Sequence, residues 1–150
     1  MEYPTVEHVQ KTTAFKKRAR AEGAIETLKW LEDGAPHKFD GLKGTFLFNM
    51  DNYQVNDGCG TVCCIAGAID AFVNRLDGDE KRFRGRGDLH CSFHEEQDLD
   101  KRLSKLFYPN LIHYNSITPV EAAEALRNYL EKGVVDWSHV KNYNEIKDEY

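Results

Sequence analysis

One segment, Ser-Ile-Thr-Pro-Val-Glu-Ala-Ala-Glu-Ala-Leu-Arg-Asn-Tyr-Leu-Glu-Lys-Gly at 116–133, carries its own start and stop signals and constrains everything around it. Thr118 fits an N-cap, Pro119 the first helical position where no N–H is needed, and Glu121 the third, which completes a capping box. Gly133 suits the left-handed residue that ends a helix. Between these ends, Ala122, Ala125, Leu126 and Tyr129 recur at helical spacing and form one apolar face. A helix of this length is marginal alone in water, so that face requires partners elsewhere in the chain.

Three further segments supply candidates. Val62, Ile65, Ile69, Phe72, Val73 and Leu76 make a continuous apolar stripe, which predicts a buried central helix over about 62–76, with Ala66, Gly67 and Ala68 allowing close packing. From about Thr5 to Leu31 the pattern predicts two helices, or one broken near Gly23. Val6, Val9 and Phe15 face inward in the first part, and Ala24, Ile25, Leu28 and Leu31 in the second. Gly34 fits the position after the helix end, and Pro36 stands where a helix cannot continue. Leu99, Leu103, Leu106 and Phe107 predict another helix, closed by Pro109. The alternation of Phe46, Phe48 and Met50 reads as a short strand, with further short strands expected around Leu89–Phe93 and after Gly133.

The expected fold class is α+β and mainly helical, a compact domain of about five helices with at most a small β-sheet. At 150 residues the chain reads as a single globular domain over 1–150, with a core over about 5–137 and a polar C-terminal tail at 138–150. No apolar run approaches the ~18 residues of a membrane helix, and the first residues do not resemble a signal peptide. The expectation is a cytoplasmic protein with no membrane partner, whose four cysteines are thiols. A net charge of −5 argues against nucleic acid as a partner. The basic stretch Lys-Lys-Arg-Ala-Arg at 16–20 reads as a solvated helix face.

Function must then be sought in Asn-Asp-Gly-Cys-Gly-Thr-Val-Cys-Cys-Ile-Ala-Gly at 56–67, which holds three of the four cysteines. Read as a glycine-rich turn running directly into a helix, with Thr61 as the cap, it supports four readings. In the first, Gly58 and Gly60 permit positive φ, while Cys63 and Cys64 act as small apolar residues packing the first helical turn. In the second, the same turn, from Gly58 onward, grips an anion: the N–H groups of Gly60, Thr61 and Val62 and the Thr61 hydroxyl meet a helix dipole, with Arg82, Arg84 and Arg86 adding charge. A nucleotide-like ligand fits that chemistry, although the turn is shorter than a P-loop and lacks its lysine.

In the third, Cys59 or Cys63 is the nucleophile of a hydrolase or transferase, activated by the helix N-terminus, with no histidine singled out as base among His37, His90, His94 and His113. In the fourth, Cys59, Cys63, Cys91 and His94 form a C-x3-C…C-x2-H set of tetrahedral zinc ligands in a structural or interaction domain. No motif calls for an organic cofactor. The stretch Lys81–Gly87 has four cations, but Asp77, Asp79, Glu80 and Asp88 flank it, so it reads as a solvated loop.

Four pieces in order, Phe-Asn-Met at 48–50, Cys-Gly-Thr-Val-Cys-Cys-Ile-Ala-Gly at 59–67, Leu-Phe-Tyr-Pro at 106–109 and Thr-Pro-Val-Glu-Ala-Ala at 118–123, resemble a group of small phage and bacterial proteins of uncharacterised function. That group shares an F-[DN]-M segment, C-G-T-x-x-C-x-A-G, L-F-Y and T-P-x-x-A-A, and the resemblance covers about residues 25–137. It implies a shared fold, a phage source, and a motif role for Cys59 and Cys63, with Cys64 at a variable position. Ala68 departs from the Trp or His that many of these sequences carry after the Ala-Gly pair. The leading expectation is a small binding protein for an anionic ligand or a host partner.

Overall fold

A computed structural model of the chain describes residues 2–38, 46–49, 54–56, 61–77, 105–106 and 117–140. In order these form α1 (Val6–Thr12), α2 (Arg18–Glu32), β1 (Phe46–Phe48), β2 (Gln54–Asn56), β3 (Thr61–Cys63), α3 (Ile65–Asp77) and α4 (Pro119–Lys132). The described part is mainly helical. Lys105 and Leu106 are also helical, while the rest of the helix expected over 99–107, and the strand expected around 89–93, fall outside the described residues. Val134 and Val135 belong to no strand.

The capping signals of α4 act as its sequence requires. The Thr118 side chain accepts from the Glu121 N–H at 3.2 Å, and the Glu121 carboxylate accepts from the Thr118 N–H at 2.9 Å. Gly133 closes the helix in the left-handed region at φ 71°. Two carbonyls of the last turn are taken by side chains of α1: His8 Nε2 lies 2.6 Å from the Glu131 oxygen, and the Thr12 hydroxyl donates to the Leu130 oxygen at 3.1 Å. These are groups that a helix end cannot satisfy internally, so α1 acts as a cap for α4. The Tyr129 hydroxyl adds a third link by accepting from the Ala14 N–H at 2.9 Å.

The break between the first two helices falls at 13–17 and not at Gly23. Thr13 donates to the Val9 oxygen at 2.7 Å and accepts from the Phe15 N–H at 3.0 Å, while Gln10 and Lys16 exchange side-chain bonds with each other's carbonyls. Such local bonds offer the backbone an alternative to the helix ladder. Gly23 sits buried inside α2 for a different reason. A Cβ there would lie 2.9 Å from Val73 Cγ2 and 3.1 Å from the Ile69 carbonyl oxygen, so glycine lets α2 and α3 approach closely.

The end of α2 is a Schellman motif. The Gly34 N–H bonds the Leu31 oxygen at 3.0 Å and the Ala35 N–H bonds the Trp30 oxygen at 2.8 Å, with Gly34 at φ 87°. The same turn turns the chain back under Trp30, whose Nε1 donates to the Pro36 oxygen at 2.9 Å.

One hydrophobic cluster joins all four helices: Val9, Phe15, Leu28, Trp30, Ile65, Ile69, Phe72, Leu126 and Tyr129 are buried in it. It also contains Trp137 and Val140, so packing continues past the expected core limit at 137. Trp137 Nε1 donates to the Lys105 oxygen at 3.1 Å, and His139 Nε2 lies 2.7 Å from the Glu121 oxygen, which fixes this segment to α4. The three strands are ordered β1-β3-β2, with β1 parallel and β2 antiparallel to β3. Phe48 meets Trp30 edge-on at 6.3 Å, bringing β1 against α2.

Candidate functional site

The cysteine-bearing segment does not run from a turn straight into a helix. Thr61–Cys63 form the central strand, registered Phe46↔Thr61 and Phe48↔Cys63 on one side and Asn56↔Thr61 and Gln54↔Cys63 on the other. The helix begins at Ile65, after Cys64, whose carbonyl accepts from the Ala68 N–H at 2.9 Å. Thr61 is therefore no cap for α3, and Val62 does not open it. Val62 is registered with Leu47 on one side and Val55 on the other, and β-branched residues are enriched in strands.

This arrangement revises the expected anion site. Residues 57–60, Asp-Gly-Cys-Gly, link the paired positions Asn56 and Thr61, and so connect to the N-terminal end of β3. The start of α3 follows the C-terminal end of the same strand. At ~3.3 Å per strand residue, the two lie about 10 Å apart along β3. The strand Thr61–Cys63 thus stands between the glycine-rich link and the helix start, which the sequence places side by side. Thr61 and Val62, expected as N–H donors at a helix start, stand instead in the central strand, flanked on both sides.

Gly58, Cys59 and Gly60 lie outside the described residues, as do Arg82, Arg84, Arg86, Cys91 and His94. His90 and His113 do too, and His37 is described as an exposed residue after the α2 turn. Cys63 ends β3, next to the segment that opens α3. Cys64 is buried, at 5% exposure, among core residues that include Ile65 and Ala68, consistent with its reading as a small apolar packing residue. Among the described residues no group of three His, Cys, Asp or Glu could hold a metal ion.

Two features depart from what the sequence leads one to expect, the first a correction to the solvated face expected over 16–20 and the second not foreseen. The first is Arg20, the last cation of the 16–20 stretch. It is buried at 8% exposure, while Lys16, Lys17 and Arg18 are exposed as a solvated face requires. The second is a polar knot between the N-terminal segment, α2 and α4. Arg127 donates from Nε and NH2 to the two Glu32 carboxylate oxygens at 2.8 and 2.9 Å, and from NH1 to Glu131 at 3.2 Å and the Glu2 carbonyl at 3.0 Å. Its guanidinium and the Lys29 ammonium both lie over the Tyr3 ring, at 5.0 and 5.3 Å. The Arg127 hydrogen bonds hold the Glu32 carboxyl below its usual range against the opposing effect of burial.

Bidentate pairing with a carboxylate satisfies the Arg127 fork, so this knot joins elements and offers no open cationic site. Sequence spacing could suggest the Arg127–Glu131 pair at i,i+4, but Glu32 becomes its partner only through tertiary packing. No protein-family model, curated protein or solved structure matches the chain. Among the described residues no helix is long and apolar enough to cross a membrane.

Proposed function

We propose that this is a small cytoplasmic, phage-encoded protein that works by binding, holding an anionic, nucleotide-like ligand or a host partner at the 57–60 link. The observation that carries this reading is the pairing of Asn56 with Thr61, which leaves a short glycine-rich link between two strands of a sheet anchored to the helical core. Binding groups are commonly carried on short connections held by a rigid scaffold. Backbone N–H groups of a glycine-rich connection are suited to an anion even without a helix dipole. Gly58 and Gly60 supply them in this proposal, and Arg82, Arg84 and Arg86 supply counter-charge. Calorimetric titration against nucleotides and cyclic nucleotides tests the ligand half, with Gly60→Asp as the repelling variant. Heat with wild type that vanishes in the variant supports the reading, and no heat from any ligand overturns it.

A second reading draws on the position of the helix start. Cys63 stands two residues before Ile65, closer to the dipole of α3 than a turn cysteine would be. A thiol near a helix N-terminus is held as thiolate more readily. In this reading Cys63 is the nucleophile of a hydrolase or transferase. Iodoacetamide labelling across pH should then modify one thiol at a distinctly lower pH than the others. Uniform slow labelling rules it out. The zinc reading through Cys59, Cys63, Cys91 and His94 is decided by native mass with and without chelator.

A further inference from the structure

We draw no further inference here: the strongest candidate, the basic α1–α2 junction where exposed Lys16, Lys17 and Arg18 stand at a helix start without a side-chain cap, is a helix N-terminus with surface cations and has no second observation that points to a ligand.

Discussion

Substituting Gly23 by alanine tests whether α2 and α3 are in backbone-level contact. In an exposed helix interior, Gly→Ala stabilises by about 0.8–1.0 kcal/mol, because alanine has less backbone entropy to lose. Here the new Cβ would stand 2.9 Å from Val73 Cγ2 and 3.1 Å from the Ile69 carbonyl oxygen. The methyl belongs to a β-branched side chain with little rotamer choice in a helix, and the oxygen belongs to the backbone. Neither yields cheaply, and overpacking of this kind costs about 1–3 kcal/mol. The propensity gain offsets only the lower part of that range. The expected net effect is destabilisation of about 1 kcal/mol, a fall in Tm of about 2–4 °C for a chain of this size.

Urea denaturation of wild type, Gly23→Ala, Val73→Ala and the double variant separates the contributions. Removing Val73 Cγ2 should relieve part of the clash, so the double variant should lose less stability than the two single changes summed, as expected of residues in contact. A Gly23→Ala variant more stable than wild type, with additive behaviour in the cycle, would refute the close approach.

Three other outcomes follow from the packing. Tyr129→Phe removes the acceptor of the Ala14 N–H while keeping the ring edge-on to Phe15 at 5.8 Å, and should cost about 1–3 kcal/mol by denaturation; a change near zero would contradict the link between α1 and α4. Gly34→Ala should cost about 1–2 kcal/mol from backbone strain alone, since nothing lies within 4 Å of the added Cβ, while Gly34→Asn should cost less. Glu32 has a folded-state pKa below its ordinary value, chiefly through its hydrogen bonds with Arg127, so its contribution is complete above the ordinary glutamate range and is lost as pH falls through the lowered folded value. Denaturation at several pH values should show wild type losing more stability than Glu32→Gln as acid is added from neutral, and parallel losses would contradict that pairing.

Legibility in the sequence followed the range of the forces involved. The capping box at Thr118 and Glu121 and the left-handed stops at Gly34 and Gly133 depend on residues a few positions apart, and each reads correctly. Gly23 misleads because the same residue type marks both a helix break and a close helix contact, and only the position of Val73 separates the two. The segment 61–63 misleads for a related reason. Val62 continues the apolar stripe of Ile65 and Ile69, but its pairing with Val55 across the 57–60 link and with Leu47 further back places it in a strand. Arg20 shows the same limit: its charge predicts exposure, and tertiary packing buries it.

In the proposed function a ligand sits at the glycine-rich link, on the far side of β3 from the start of α3. Amide chemical-shift mapping of the labelled protein during titration with a nucleotide panel tests both at once. The expected result is perturbations concentrated at residues 58–60, strand-type carbon shifts at 61–63, and within 61–77 helical shifts only from 65 onward. Perturbations centred on 65–67, helical shifts at 61–63, or no perturbation with any nucleotide would contradict it.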